Sequence, residues 1–108
     1  MKLIIRSAAR QDILRQYSYY LIEKDAEMAA ERFTIAVHAA ITQVSKHPEI
    51  GTPKALSNKA LGGLRSWPVK GFPAMRVYYL SSGDVLRIIR VLHGKRDLNP
   101  LLEAEPGD

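Results

Sequence analysis

Apolar positions recur at helical spacing in the first half of the chain and at strand spacing in the second. The run Leu3, Ile4, Ile5 is apolar, with Ile4 and Ile5 β-branched, and predicts a short strand over residues 2–6. Beyond it Ala9, Ile13, Tyr17, Tyr20 and Leu21 share one stripe of a helix, with Ser7 placed to cap it. A cleaner stripe follows Asp25, a candidate cap: Ala29, Ala30, Phe33, Ala36, Val37, Ala40, Ile41 and Val44. His47 precedes Pro48, which disfavours helical backbone and ends this second helix. Its small residues permit close approach of another layer, so the two helices are expected to form an antiparallel hairpin lying on a sheet.

From 48 to 63 the chain is punctuated by Pro, Gly and Asn, which predicts a loop with one short helical turn around 55–59. A connection of that length is often functional, so Lys54 and Lys59 are candidate contacts. Three strands follow, over 64–69, 74–80 and 85–92, joined as antiparallel hairpins by turns at 70–73 and 81–84. Pro68 lacks a ladder donor, so its strand lies at an edge or carries a bulge. Alternation places Arg65, Trp67 and Val69 on one face, and Arg76, Tyr78 and Leu80 on one face of the next strand. In the last strand Val85, Arg87, Ile89, Val91 and His93 would share one side, and Leu86, Ile88, Arg90 and Leu92 the other. Both sides are mainly apolar, which predicts a central strand. The fold class is therefore α+β: an N-terminal strand, an antiparallel helical hairpin, then a three-stranded antiparallel sheet. Residues 1–102 form a single domain, and 103–108 a polar tail that is a candidate for disorder.

Composition narrows the functional classes. The chain has 108 residues and no cysteine, which rules out disulfides, a thiolate nucleophile and a Cys-based zinc site. His38 and His47 have no partner at ligand spacing, so no metal or other cofactor is expected. The opening apolar run is too short for a signal peptide. No run approaches the roughly twenty apolar residues of a membrane span, so a soluble, cytoplasmic protein is expected. The net charge of +5 is unevenly spread: residues 54–97 carry nine Lys and Arg against two acids, Asp84 and Asp97. Such a segment attracts polyanions or an acidic protein, or is a solvated surface balanced elsewhere.

The segment that joins the last strand to this charge is VLRIIRVLHGKRD, residues 85–97. A candidate target-binding surface consists of Arg65, Trp67, Arg76, Arg90, His93, Lys95 and Arg96, with Gly94 expected to let the backbone turn. Tyr17, Tyr19 and Tyr20 either stack on bases or close a core. Trp67 packs or anchors a protein interface. Arg90 either faces outward or pairs with a buried carboxylate such as Asp12 or Glu23. For metal-free RNA cleavage, His93 could move a proton while Arg90 and Arg65 stabilise a phosphorane. That chemistry also needs a base for the 2′ hydroxyl, and no second acid-base residue adjoins His93, so binding is favoured over catalysis.

The chain resembles the ParE branch of the RelE/ParE superfamily of type II toxins. The resemblance lies in AARQDILRQY (8–17), the segment 29–33, HPEIG (47–51), LRSWPVKGF (64–72) and above all IIRVLHGKRDL (88–98). It implies a RelE/ParE-like fold and a toxin that binds and poisons DNA gyrase, blocking replication without catalysing a reaction. The toxin would be neutralised in a hetero-oligomer by a cognate ParD-like antitoxin with a ribbon-helix-helix domain and an acidic C-terminal segment. RelE-like relatives on this fold instead cleave mRNA on the ribosome. In those relatives His93 and Arg90 have counterparts, but Gly94 stands where some carry an aromatic acid-base residue. The antitoxin-contacting residues are left unassigned.

Overall fold

The computed structural model describes residues 1–94 and 99–105. Strand β1 (Lys2–Ile5) leads into helix α1 (Ser7–Ser18), which continues as a π-helical turn, Tyr19–Glu23. Helix α2 (Glu27–Lys46) returns antiparallel to it, followed by a two-residue β2 (Thr52–Pro53) and a 3₁₀ turn (Lys59–Leu61). Strands β3 (Arg65–Val69), β4 (Phe72–Ser82) and β5 (Val85–His93) complete the sheet, and a short α3 (Asn99–Glu103) follows.

The α+β class and the order of elements match the sequence expectation, but the sheet is larger. It has five strands in the order β1-β5-β4-β3-β2. The expected antiparallel hairpins β3–β4 and β4–β5 are present, while β1 joins β5 in parallel, Lys2 opposite Val85 and Ile5 opposite Ile88. Strand β5 is thus interior, and β4 is the middle strand. Gly71 and Gly83 have positive φ, 86° and 60°, which lets both hairpins turn tightly. Strand β4 therefore starts at Phe72, earlier than its apolar pattern suggests. Pro68 sits beyond the two residues that β2 pairs with, beside a register shift at Pro68/Val69, so its missing donor costs nothing.

A second irregularity overturns the alternation expected for β5. Tyr78 pairs with Arg90 but Tyr79 pairs with Ile88, so β5 holds an extra residue there. Past this bulge the faces exchange. Val91 joins Leu86 and Ile88 in the core under the helices, whereas Ile89 and Leu92 lie in a separate cluster on the opposite face.

Both sheet faces are covered. The first cluster packs Ala9, Phe33, Val37, Ile41 and Val44 from the helices on Val69, Met75, Val77 and Tyr79. The α2 stripe is buried as expected, with Ala30, Phe33, Val37, Ala40, Ile41 and Val44 all inside. The α1 stripe holds only to Tyr20. The π-helical turn adds residues per turn, rotates the stripe and leaves Leu21 exposed. Neither expected cap is used: Ser7 lies inside α1 after Arg6, and Asp25 precedes the Ala26 cap with a φ of 47°. Tyr20 meets Phe33 and Phe72 with ring centroids 5.7 and 5.6 Å apart, so it closes the core, as one of its two sequence readings has it.

On the opposite face Leu61, Leu64, Tyr78, Leu80, Ile89, Leu92 and Leu102 form the second cluster. The irregular segment 54–63 is held there by the C-terminal helix. Asn58 donates through Nδ2 to the carbonyls of Leu102, Glu103 and Glu105 at 3.2, 3.0 and 2.8 Å. The Glu103 carboxylate accepts from the Ser57 amide at 2.8 Å and from its hydroxyl at 2.5 Å. Glu103 and Glu105, placed by composition in the polar tail, are thus tied to the body of the domain.

Candidate binding surfaces

Three of the arginines predicted to meet a target, Arg65, Arg76 and Arg90, are spent in this fold on protein atoms. Arg65 braces the turn after α2, donating through Nη1 to the carbonyls of Gly51 at 2.8 Å and Glu49 at 3.2 Å. The Tyr79 hydroxyl closes the same turn. It donates to the Pro48 carbonyl at 2.8 Å and accepts from the Gly51 amide at 2.9 Å. A Cβ at Gly51 would lie 2.8 Å from Tyr79 Cε1 and 2.9 Å from the Ser66 carbonyl, so only glycine fits. This explains the HPEIG stretch as a built anchor. Burial raises the Tyr79 pKa above its usual 10.0, against the opposing effects of the Gly51 hydrogen bond and the Arg65 charge.

Arg90 is the ion pair of its two sequence readings, and Asp12 is its partner. The contact is bidentate: Nε to Oδ2 at 2.7 Å and Nη2 to Oδ1 at 2.8 Å, with the Asp12 side chain 2 % exposed. Asp12 Oδ2 also accepts from the Val91 amide at 3.0 Å. Strand β1 pairs with β5 only as far as Ile88, and Asp12 takes the place of a strand beyond that point. Glu105 lies 3.6 Å from Arg90 Nη1, so one guanidinium joins α1, β5 and the C-terminal segment. Hydrogen bonds to Asp12 chiefly hold Arg90 more firmly protonated than usual, against the cost of its burial.

Arg76 lies on the opposite face, its Nε donating to Ser66 Oγ at 2.9 Å. A Cβ on Gly94 would lie 2.8 Å from Arg76 Cδ. Gly94 lies in a turn, as expected, without a positive φ, and its lack of a Cβ lets the Arg76 side chain approach closely. The space a side chain would need there is taken by Arg76. Trp67 is half-buried against the first core cluster, which supports its packing role. His93 sits at the end of β5 among Gln16, Tyr20, Phe72 and Met75, and its Nδ1 is buried with no hydrogen-bond partner among the described residues. Lys95 and Arg96 lie outside the described residues.

The described members of the predicted set therefore serve different parts of the fold. Arg65 belongs to the turn after α2, Arg76 to the far face, Arg90 to the α1 junction and His93 to the helix side. Another surface escaped the sequence reading: Leu14 on α1 is 63 % exposed and Ile35 on α2 is 70 % exposed. Met28 and Ile22 are exposed as well. Met28 and Ile35 are seven positions apart, two turns, and so lie on one side of α2. Their signal in the sequence is an apolar residue on the otherwise polar side of an amphipathic helix.

A helical hairpin packed on a mixed sheet, with a parallel N-terminal strand, a basic second half and exposed apolar residues on the hairpin, defines a small α+β domain. A family described as "ParE toxin of type II toxin-antitoxin system, parDE" matches residues 3–98. The chain belongs to that family. No curated protein matches it significantly. A solved structure titled "Chromosomal ParDE TA system from P. aeruginosa" shares the fold with a TM-score of 0.55 at 18% identity, covering 86% of this chain and 95% of that one.

Proposed function

We propose that this ParE-family toxin acts by binding DNA gyrase and blocking replication in the cytoplasm, and that a cognate antitoxin with an acidic C-terminal segment neutralises it in a hetero-oligomer. The observation that carries binding over catalysis is the bidentate Asp12–Arg90 pair. A nuclease built on His93, Arg90 and Arg65 needs guanidiniums free to meet a phosphate. Here one is neutralised by a buried carboxylate and the other braces the turn at Glu49 and Gly51. The exposed apolar residues of the hairpin, Leu14, Ile22, Met28 and Ile35, support the antitoxin part of the reading, since exposed apolar surface on a small domain suits an interaction surface.

The test adds the purified chain to a gyrase supercoiling and cleavage assay and, in parallel, to ribosomes programmed with mRNA. Inhibited supercoiling with intact transcript is expected. Transcript cleavage with unaffected supercoiling would establish an mRNA endoribonuclease instead. His93→Gln separates the mechanisms further, because it abolishes a nuclease that uses the imidazole and only weakens a gyrase binder.

A further inference from the structure

The end of α2 and the turn that follows it face the start of β3 and the β4–β5 turn across a cavity of about 800 Å³. That volume suits a small ligand, since specific sites span roughly 300–1,000 Å³. Two cations line it, exposed Lys46 and half-buried Arg65, and neither has an ion-pair partner among the described residues. Arg65 is nevertheless held in place. The turn fixes it through Nη1 alone, which leaves Nε and Nη2 without a partner among the described residues. A guanidinium anchored on one side by carbonyls keeps its remaining donors in a set plane, an arrangement that suits a phosphate. His47 adds a ring that can donate to the same cavity. Gly63 and Gly83 line it with bare backbone: no heavy atom lies within 4 Å of where a Cβ would stand on either, so no side chain fills that wall.

We propose that this cavity binds a phosphate ester the size of a mononucleotide. Lys46 and the unspent edge of Arg65 receive the phosphate, while the base rests on Pro48 and Ile50, the apolar residues of the turn. The acids nearby favour a small ligand over a nucleic acid strand. Glu49 lines the cavity, and Asp84, 91 % exposed, adjoins the lining Gly83 with the Met1 amino group 3.5 Å away. One phosphate between Lys46 and Arg65 meets an excess of positive charge, whereas a polyanion continuing past the rim would meet both carboxylates. The site stands apart from the gyrase and antitoxin readings. None of Leu14, Ile22, Met28 and Ile35 lines it, and His93 lines a different cavity, so this edge of Arg65 does not restore a nuclease built on His93.

The experiment titrates the intact chain, labelled with nitrogen-15, with AMP, GMP, CMP and UMP, with inorganic phosphate and with a short DNA duplex, all at low salt. Amide shifts locate binding and calorimetry measures it, for the parent and for Lys46→Gln, Arg65→Lys and Lys24→Gln. At least one nucleotide is expected to give saturable shifts centred on Lys46, Ile50, Gly63 and Gly83, with inorganic phosphate about tenfold weaker or more. Lys46→Gln and Arg65→Lys should each weaken that nucleotide about tenfold or more, the worth of a hydrogen bond to a charged group. Lys46 is exposed, so its exchange reads the site without disturbing the fold. Lys24→Gln removes the same charge outside the cavity and should keep the parental affinity. Shifts from none of the nucleotides, or shifts centred elsewhere, overturn the proposal. Equal weakening by Lys24→Gln would show diffuse attraction to a basic chain, and inorganic phosphate binding as tightly as the nucleotides would show an anion site without a place for the base. A duplex that saturates these amides where the nucleotides do not would assign the cavity to nucleic acid. Each of these three results also refutes it.

Discussion

Exchanging Asp12 for asparagine keeps the shape of the side chain and removes the charge that Arg90 faces. The guanidinium is then left partly buried with only the Glu105 carboxylate, 3.6 Å away, as counter-charge, a change that costs up to about 3 kcal/mol when one member of a buried pair is removed. Asp12→Asn is therefore expected to lower the thermal midpoint by several degrees, read by circular dichroism. A shift within error would show that the Val91 amide contact, which asparagine retains, carries the junction. Arg90→Lys should recover little, since an ammonium cannot make both parallel bonds. Tyr79 offers a second residue-scale test. Tyr79→Phe loses the bonds to Pro48 and Gly51 and should cost about 1–3 kcal/mol, because the Gly51 amide is buried. The linkage also has a sign. The folded-state pKa lies above 10.0, so the protonated hydroxyl contributes stability that is complete below pH 10.0 and is lost as pH rises through the folded value. Tyr78 adds to this in the same direction, its pKa raised by burial despite Arg76. Absorbance at alkaline pH should show two of the five tyrosines titrating late, coupled to unfolding; simultaneous titration of all five below the unfolding transition would contradict the buried placement.

Among the elements, α3 is tied down by side chains of the 54–63 segment, Asn58 making the most bonds to it. Asn58 accepts the Ala60 amide through Oδ1 and donates to three carbonyls at the end of the chain, so it caps the 3₁₀ turn and ties down α3 together. Asn58→Ala is expected to raise amide exchange across Asn99–Glu105 by an order of magnitude or more, with β4 and β5 unaffected. Uniform acceleration across the sheet would mean instead that α3 is integral to the global fold. The elements also show where periodicity stops being a guide. The α2 stripe was legible over its length, with Ala29 and Ala36 half-buried at its margin, because an uninterrupted helix keeps one face inward. The α1 stripe failed at Leu21 and the β5 alternation failed past Ile89 for the same reason: one additional residue in a turn or ladder resets the phase, and sequence carries no mark of it.

At the scale of the whole molecule, the uncovered apolar side of the hairpin and the buried opposite face of the sheet divide the surface unequally. The far face is sealed by Leu61, Leu64 and Leu102, whereas Leu14 and Ile35 are left to solvent. A Leu14→Glu, Ile35→Glu double variant is expected to reduce capture of the antitoxin by about a hundredfold, measured by calorimetry, with no loss of thermal stability. Unchanged capture would move the antitoxin interface elsewhere. Burial at these positions is slight, so a folding defect is not expected to interfere. Among the described residues no helix is long and apolar enough to cross a membrane, so this patch is not part of a membrane-spanning helix.

Sequence alone determined the α+β class, the helical hairpin and the two antiparallel β-hairpins, because apolar period and turn residues are local quantities that the chain writes in order, and the family followed from the resemblance of its motif segments. It also narrowed Arg90 to two roles and named Asp12 and Glu23 as candidate partners, of which the structure uses Asp12. Tertiary structure decided the rest. The parallel pairing of β1 with β5, the closure of the HPEIG turn by Tyr79, the fit of Gly94 against Arg76 and the dispersal of the basic residues all depend on contacts between distant positions. A basic run such as 85–97 records how much positive charge is present, but which of those charges meets an internal carboxylate is settled only when α1 lays Asp12 against β5.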